Sequence, residues 1–403
     1  MIDLVIFAIY LILQHLFAFV QRLYWIATGL SDAPVDTQVR LMSILYRRKR
    51  DPVELPRWAD FVAVHKSFAP VSVLEGDRWA FYAIDRKFAY FVEMPEPVIT
   101  YDVLKFPFVY IPYFEFSKCL AVVPLSDMLS WADQLAKRPQ PKTVFFTNTA
   151  RCGSTLFAQM LNRPGTSICI GEPFVMTLLA IGYWEKYWHE SEMETLLKAA
   201  VTILRKDVPA DQIFILKTSS NEARLVPIMA KCMPEVKHVF MFRKNGLDPV
   251  ERMLTRDKMQ RILMLLFLIC PQLSKAFGWI AIGESKWLRV IRPTTTKEWA
   301  AIAYASPYAD YLKNKELFCL PVVWHKDIIH DAENTLRPIF RELGLPEEKI
   351  KDALLCLNRD SQNGTFLSQS VMKDVKATEM TDAICAKLDT VAQVLGVPKD
   401  TFE

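Results

Sequence analysis

The sequence lacks the usual signatures of metal, redox and nucleic-acid chemistry. None of its eight cysteines forms a CxxC pair, and its six histidines show no zinc-ligand spacing. The 49 lysines and arginines nearly balance the 45 aspartates and glutamates, which leaves a formal net charge of +4. Such a small excess does not favour a nucleic-acid partner, so any anion site must be local. We therefore expect no metal, no nucleic acid, and thiols that are mostly reduced or buried.

Apolar residues, in contrast, are abundant, at 51% of 403 residues. Residues 2–20, IDLVIFAIYLILQHLFAFV, approach the roughly 20 apolar residues that a membrane-spanning helix needs. No Lys or Arg precedes this run, which argues against a cleaved signal peptide. Gln14 and His15 at mid-span leave an interfacial helix as the alternative to a single-pass anchor. A membrane is therefore an expected partner, and the RRKR run at 47–50 favours the cytosol for that flank.

A second apolar run, ILMLLFLIC at 262–270, is too short to cross a bilayer. It predicts a core helix or a lid. Membrane contact by the longer segment 262–283 is the alternative.

Residues 51–130 are rich in aromatic and β-branched residues and predict an antiparallel accessory region. WAFYAIDRKFAYFVEMP predicts two strands around a turn at 85–87, and FPFVYIPYFEF, residues 106–116, predicts more extended chain. A helix is expected to follow, with Ser126 or Asp127 as its N-cap, and to stop at a proline-rich stretch near residue 140.

From residue 142 the pattern becomes strand, loop and helix, repeated. Apolar strands alternating with helices predict a parallel sheet covered on both faces, hence an α/β fold whose ligands bind beyond the carboxyl ends of the strands. We predict three regions: a membrane helix over 1–30, the accessory region over 31–140, and an α/β domain over 141–403. The predicted strands of that domain are KTVFFTN, TSICI, QIFILKT and KHVFMFR.

The turn TNTARCGST, residues 147–155, joins the first of these strands to a helix. Such a turn points backbone N–H groups and the positive end of a helix dipole at an anion. Gly153 permits a close approach of the backbone, Ser154 and Thr155 supply hydroxyls, and Arg151 supplies a fixed charge. The GxxxxGK[ST] pattern of nucleoside triphosphatases is absent, and a purely architectural turn is the alternative.

RCGSTLFAQMLNRPGTSICIGEP, residues 151–173, resembles the nucleotide-binding loop of the sulfotransferases, whose typical forms are PRSGTT and PRSGST. It is closer to the membrane-bound Golgi and tyrosylprotein kinds than to the cytosolic ones. Ala150 stands for the proline, and Cys152 stands for the serine. The resemblance implies a P-loop sulfotransferase fold and 3'-phosphoadenosine 5'-phosphosulfate (PAPS) as co-substrate. It also implies that the 5'-phosphate is bound by Arg151, Cys152, Gly153, Ser154 and Thr155.

KHVFMFRKNGLDPVERML, residues 237–254, is similar to the family's second motif and implies that Arg243 binds the 3'-phosphate. Glu251 stands where cytosolic sulfotransferases have a serine, and we expect its carboxylate to point away from the nucleotide. In ILKTSS, Lys217 matches the lysine that contacts the transferring sulfuryl group. Ser219 stands where the cytosolic enzymes have their histidine base, and a serine is no base at neutral pH without activation.

Glu172 is therefore the predicted base, since tyrosylprotein sulfotransferases have a catalytic glutamate in a similar Gly-Glu setting. The alternatives are a helix-capping role for Glu172 and an ordinary strand-end role for Lys217. The polar loop NRDSQNGTFLSQ, residues 358–369, resembles the family's C-terminal loop that closes over the nucleotide.

The resemblance as a whole implies transfer of a sulfuryl group from PAPS to a hydroxyl-bearing glycan, lipid or peptide, without a metal, at the Golgi or another endomembrane. Two alternatives remain. One is a different P-loop enzyme that transfers phosphoryl groups. The other is a catalytically weak nucleotide-binding protein, which Ser219 and Glu251 suggest.

Overall fold

The computed structural model describes residues 2–31, 37–273 and 285–402. It contains a long N-terminal helix, an antiparallel sheet and a parallel sheet. The part of the second apolar segment from 274 to 283 lies outside the described residues.

The N-terminal helix α1 (Ile2–Thr28) lies along the edge strand of the antiparallel sheet. Tyr10 Oη donates a hydrogen bond to the carbonyl of Ala59 (2.9 Å), and Gln14 Nε2 donates to the carbonyl of Phe61 (3.3 Å). Gln21 Nε2 donates to the carbonyl of residue 63 (3.1 Å). These side chains satisfy carbonyls that an edge strand would otherwise leave unpaired.

The segment Val5–Thr28 of α1 has a mean hydropathy of 1.6 and is long and apolar enough to cross a membrane. The basic run that follows is folded into the protein. Arg47 donates to the carbonyls of Phe114 (2.6 Å) and Ser117 (2.5 Å), and Lys49 is paired with Asp60 at 3.5 Å. Burial lowers the pKa values of both Arg47 and Lys49. These two charges are therefore bound by the protein itself.

The antiparallel sheet has five strands in the order β2-β1-β5-β4-β3. The predicted hairpin around 85–87 is confirmed: Asp85 Oδ1 accepts hydrogen bonds from the backbone N–H groups of Lys87 and Phe88 (2.7 and 2.9 Å). The extended chain predicted for 106–116 is wrong in part, because α2 forms there. The elements are β1 (Val39–Arg47), β2 (Phe61–Ala69), β3 (Trp79–Ile84), β4 (Phe88–Glu93), α2 (Tyr110–Glu115), β5 (Cys119–Pro124) and α3 (Leu125–Leu135).

The parallel sheet has five strands in the order β10-β9-β6-β8-β7, so the predicted α/β class is confirmed. The four predicted strands are present, and the short fifth strand, β10, was not predicted. The bounds are β6 (Lys142–Asn148), β7 (Ser167–Gly171), β8 (Ile213–Lys217), β9 (Lys237–Phe242) and β10 (Val323–Trp324).

Helices cover both faces of this sheet, and successive strand residues belong to different core clusters. Phe145 packs into one cluster, whereas Val144 and Phe146 pack into the other. This alternation is the two-residue period of a strand buried on both faces. The helices are α4 (Ser154–Leu161), α5 (Phe174–Trp184), α6 (Glu190–Leu204), α7 (Val226–Cys232), α8 (Leu247–Leu254), α9 (Lys258–Ile269), α10 (Ser285–Ile291), α11 (Thr296–Lys313), α12 (His325–His330), α13 (Ala332–Leu343), α14 (Ile350–Leu354), α15 (Gln369–Met372) and α16 (Asp382–Leu395).

The loop that precedes α2 covers the edge strand β7. Val103 N–H donates to the carbonyl of Cys169 (2.9 Å), and Val109 N–H donates to the carbonyl of Gly171 (2.8 Å). A Cβ atom at Gly171 would collide with the carbonyl of Pro107. Only glycine therefore allows this loop to lie against the end of β7, next to the residue that follows the strand.

Candidate active site

A cleft of about 440 Å³ opens where the strands of the parallel sheet end. Most of the predicted site residues share it, as the carboxyl-end rule for such sheets leads one to expect. Those that line the cleft are Arg151, Gly153, Ser154, Thr155, Glu172, Lys217 and Arg243.

Three residues at this edge have a backbone conformation that is unusual for residues with a side chain. Arg151 follows β6 with φ 60°, Glu172 follows β7 with φ 56°, and Asn245 follows β9 with φ 57°. Such left-handed residues store strain and are concentrated at functional sites. Two of the three, Arg151 and Glu172, line the cleft, so the strain supports a functional role for these turns.

The turn after β6 has the geometry of an anion site. Gly153, at φ 87°, is the N-cap of α4, and a Cβ there would lie 2.6 Å from His325 Cδ2. The first N–H groups of α4 have no partners inside the helix, and the hydroxyl-bearing Ser154 and Thr155 stand at the same helix start. Both side chains line the cleft although they are largely buried. The turn thus offers N–H and O–H donors together.

Two guanidinium groups face the same space. Arg151 follows β6 and Arg243 follows the neighbouring strand β9. Burial, followed by the positive charge of Arg243, lowers the pKa of Arg151. Two cations brought together in a partly buried cleft repel each other unless an anion lies between them. The pair therefore fits a ligand that has more than one negative group.

Cys152 occupies a different environment from its neighbours. Its side chain is fully buried in the core cluster behind β6, and burial raises the pKa of its thiol. Its thiol therefore stays neutral, and any contact with an anion would come from its backbone.

Glu172 and Lys217 form an ion pair at the ends of the adjacent strands β7 and β8. Lys217 Nζ donates to Glu172 Oε1, and the backbone N–H of Glu172 donates to the carbonyl of Lys217 at 2.7 Å. The Lys217 side chain is 1% exposed and that of Glu172 is 15% exposed. The carboxylate is thus the member of the pair that remains open to a ligand in the cleft.

Ser219 also lines the cleft, and its hydroxyl is bound to a second carboxylate. Ser219 Oγ donates to Glu222 Oε2 at 2.7 Å, and Thr177 Oγ1 donates to Glu222 Oε1 at 2.6 Å. Glu222 is fully buried, and this burial raises its pKa against the effect of the two hydroxyl groups. Ser219 is therefore part of a buried hydrogen-bond network.

Glu251 lies outside the cleft lining. It is 1% exposed and pairs with Lys297 at 3.2 Å. Its oxygens also accept hydrogen bonds from the hydroxyls of Thr296 (2.8 Å) and Thr378 (2.6 Å). The residue ties α8 to α11 and to the C-terminal segment, which is a structural role.

The loop predicted at 358–369 lies on the turn after β6. Gln362 Oε1 accepts a hydrogen bond from Arg151, and Gln362 Nε2 donates to Thr155 Oγ1 at 3.4 Å. Gln159 of α4 donates to the carbonyl of Ser361 at 3.1 Å. The loop thus forms one wall of the cleft, to which it also contributes Arg359.

Sequence reasoning missed several residues of the cleft. His325 follows β10 at the same sheet edge, and burial, then the charge of Arg243, lower its pKa to about 4. Phe108 comes from the loop that covers β7, and Tyr110 begins helix α2. Burial, then the carboxylate of Glu172, raise the pKa of the Tyr110 phenol, which therefore stays protonated. No sequence signal locates His325, because the strand that it follows, VW, has only two residues.

No protein-family model matches the chain, and no curated protein matches its sequence. Among solved structures, the chain is similar to sulfotransferase STF9 from Mycobacterium avium, with 10% identity and a TM-score of 0.38 over 67% of this chain and 82% of that one. It is similar to the sulfotransferase domain from the curacin biosynthetic pathway, with 13% identity and a TM-score of 0.36 over 65% and 99%. It is also similar to the sulfotransferase from Alicyclobacillus acidocaldarius, with 14% identity and a TM-score of 0.32 over 64% and 97%. Because these TM-scores are low, we base the functional proposal on the residues of the cleft.

Proposed function

We propose that the chain is a PAPS-dependent sulfotransferase that acts on a hydroxyl-bearing acceptor. The observation that carries the proposal is the pair Arg151 and Arg243, which follow neighbouring parallel strands and line one cleft with the start of α4. A nucleotide with separate 5'- and 3'-phosphate groups has the charge distribution that such a pair requires.

The donor end of the cleft is composed of groups that fit PAPS. The turn of Gly153, Ser154 and Thr155 offers N–H and O–H donors for the 5'-phosphosulfate, and Arg151 adds a charged fork beside them. Arg243 would bind the 3'-phosphate. Cys152 would contribute its backbone alone. The cleft volume of about 440 Å³ is within the range of small-molecule sites.

In the proposed reaction, Glu172 takes the proton of the acceptor hydroxyl while the hydroxyl oxygen forms a bond to sulfur. The bond between sulfur and the oxygen of the 5'-phosphate breaks, and its electron pair leaves with 3'-phosphoadenosine 5'-phosphate (PAP). Lys217, already at hydrogen-bond distance from Glu172, would stabilise the charge that develops on the leaving oxygen. The fully buried side chain of Lys217 favours this role, because little water competes for it.

The ion pair of Glu172 and Lys217 also favours a second candidate function. If the lysine neutralised the carboxylate permanently, the protein would bind the nucleotide without transferring the group. A binding protein of this kind would keep the arginine contacts and show no turnover with any acceptor. A phosphoryl-transfer enzyme would instead show turnover of ATP with magnesium.

The division into a membrane helix (1–30), an accessory region (31–140) and an α/β domain (141–403) forms part of the same proposal. The exposed apolar face of α1 supports membrane attachment. A Golgi or other endomembrane location would follow from the resemblance of residues 151–173 to membrane-bound sulfotransferases.

The test is binding of PAP to the full chain and to Arg151→Ala and Arg243→Ala, measured by calorimetry. Each variant should lose about 1.5–3 kcal/mol of binding free energy, the range for a hydrogen bond to a charged group. Lys244→Ala is the matched control: Lys244 follows Arg243 directly but pairs with Asp400 at 2.9 Å and does not line the cleft. Equal affinity of the two arginine variants and the control would contradict the proposal.

A further inference from the structure

Part of the cleft wall is apolar and aromatic. Tyr110 and Phe174 stack with ring centroids 3.7 Å apart, and Phe108 stacks on Tyr110 at 5.6 Å. Phe267 and Trp299 form another aromatic pair at 6.0 Å on the same cleft. A sugar or peptide has many polar groups that would lose water here without finding partners, which costs free energy. The wall suits an acceptor that is apolar apart from its reacting hydroxyl.

The two arginines on this wall are already bound to carboxylates. Arg50 pairs with Glu54 at 2.8 Å, and Arg256 pairs with Asp51 at 3.1 Å. Their charges are therefore largely neutralised within the protein. They do not by themselves call for an anionic or sugar-like acceptor.

Helix α9 contributes to this wall and also has exposed apolar side chains. Met264 and Phe267 are buried and line the cleft. Positions 262, 265, 266 and 269 follow the helical period on a different face, where all four large apolar side chains are exposed. Their exposed fractions are 43% for Ile262, 53% for Leu265, 47% for Leu266 and 82% for Ile269.

The segment between β1 and β2 connects the cleft with the N-terminal helix. Its Arg50 and Val53 line the cleft, and its Asp51 binds Arg256, two residues before α9 begins. Tyr46, near the end of β1, and Arg57 of this segment contact α1: the ring of Tyr46 lies 5.9 Å from that of Tyr10, and Arg57 lies over the ring of Phe7 at 5.5 Å. The mouth of the cleft and the first turns of α1 are thus joined by one short segment.

Helix α1 has one face on the protein and one exposed apolar face. Contacts to the sheet extend from Phe7 to Trp25, where Arg40 lies over the indole ring at 3.9 Å. A helix spanning the bilayer in this arrangement would take β2 and the charge of Arg40 into hydrocarbon, which is costly. An interfacial position exposes only the apolar face to lipid. That face includes Ile9, Ile12, Leu13, Leu16, Phe19, Val20 and Leu23.

We propose that the acceptor is a membrane lipid with a hydroxyl group, which reaches Glu172 past α9 from a bilayer on which α1 lies. This proposal rests on the sulfotransferase function proposed above. The lipid's O–H bond breaks as its oxygen bonds to sulfur, Glu172 receives the proton, and PAP leaves with the electron pair of the broken S–O bond. The product is a sulfate ester whose added charge favours its return to the membrane surface.

The experiment uses the full chain, PAPS labelled in the sulfuryl group, and phosphatidylcholine vesicles that contain hexadecan-1-ol. Galactose in the aqueous phase is the polar competitor, and pentan-1-ol is a soluble apolar acceptor. We expect label on hexadecanol and pentanol and at least about tenfold less on galactose, because the sugar's remaining hydroxyls would be left unpaired against the aromatic wall. Binding of PAP to the same preparation is measured in parallel.

The variant that tests the route is the triple change Leu265→Ser, Leu266→Ser and Ile269→Ser on the exposed face of α9. Since these side chains do not line the cleft, the fold and the transfer to pentanol should be kept. Transfer to vesicle-borne hexadecanol should fall about tenfold or more, because apolar area is lost from the membrane contact. Val394→Ser, an exposed apolar position on α16, is the control and should change neither rate.

The possible outcomes separate the two proposals. Galactose labelled as well as hexadecanol, or a triple variant with an unchanged hexadecanol rate, would overturn the lipid acceptor. Arginine-dependent PAP binding with no labelled alcohol would also overturn it and leave the donor site standing. Absence of PAP binding would refute the sulfotransferase function itself, and the lipid acceptor would fall with it.

Discussion

The proposed donor end of the cleft and its proposed acceptor end, the aromatic wall, take their residues from the chain in different ways. At the donor end, Arg243, Glu172 and His325 each come directly after a strand of the parallel sheet, and Lys217 ends one. The acceptor end takes its aromatic residues from the loop that covers β7 and from four different helices. These residues are Phe108, Tyr110, Phe174, Phe267 and Trp299.

The sheet therefore determines the positions of the first group of residues, and elements around the sheet determine the positions of the second. The positions of the donor residues are fixed by strand register, so they cannot shift without disturbing the core. The acceptor residues belong to peripheral elements that can change size or sequence while the sheet stays intact. We expect substitutions at the donor end to affect turnover with every acceptor, and those at the acceptor end to affect only the choice among acceptors.

The largest expected effect comes from Glu172, the proposed base at the donor end. Glu172→Gln keeps the size of the side chain but removes its ability to take a proton, so kcat should fall about 100-fold to 10,000-fold. PAP affinity should stay within about threefold of wild type, a change under 1 kcal/mol. Steady-state kinetics and calorimetry measure the two quantities.

Glu222→Gln is the matched control, since Glu222 is a second carboxylate bound to a cleft residue, Ser219, but does not itself line the cleft. Its kcat should change less than about tenfold. If Glu222→Gln abolished turnover and Glu172→Gln did not, the proton would pass through Ser219 to the buried carboxylate.

An intermediate effect, on stability alone, is expected from the ion pair of Lys297 and Glu251, which lies outside the cleft lining. Lys297→Met leaves Glu251 buried without its cation and should lower the free energy of unfolding by about 3–5 kcal/mol. Adding Glu251→Leu should restore most of this loss, because an apolar pair replaces the lone charge. Urea unfolding measures both variants. A loss of PAP affinity in the folded single variant would show that the pair also positions Arg243, contrary to its place outside the cleft.

The smallest expected effect concerns the charge of His325. With its pKa lowered to about 4, the imidazole is neutral throughout pH 6–8 and becomes cationic only as the pH falls toward 4. The ratio of PAP dissociation constants for His325→Gln and wild type should therefore be constant from pH 6 to 8. A ratio that increases as the pH falls through this range would mean that the bound nucleotide protonates the histidine, which would make it a third cation of the donor end.

The sequence predicted the parallel sheet and its turn residues because each depends on local pattern. Apolar strands such as KTVFFTN are readable from composition, and a ligand at their carboxyl ends follows from chain direction. The strand β10 was not predicted, because two residues are too few to show a periodicity. The extended chain expected for 106–116 was wrong in part, because aromatic residues pack equally well on the short helix α2.

The acceptor wall could not be predicted, since its residues meet only in the folded chain. Nothing near Phe108 in the sequence indicates that it lies beside Phe174, and no spacing links Phe267 with Trp299. The sequence did not indicate that Arg47 and Lys49 bind groups of the protein itself. Counting them as free charges therefore gives little support to a cytosolic position of the 47–50 flank.

The close approach of Pro107 to Gly171 has a practical consequence for anyone who wishes to express the protein in pieces. A fragment starting at residue 141 would lose the loop whose backbone hydrogen-bonds to the edge strand β7. The isoleucine-containing edge of β7 would then be uncovered. Its unpaired N–H and C=O groups would promote pairing with other copies and precipitation. The same cut would also remove Phe108 and Tyr110 from the cleft, so a soluble fragment of this kind would misreport the acceptor preference that we propose.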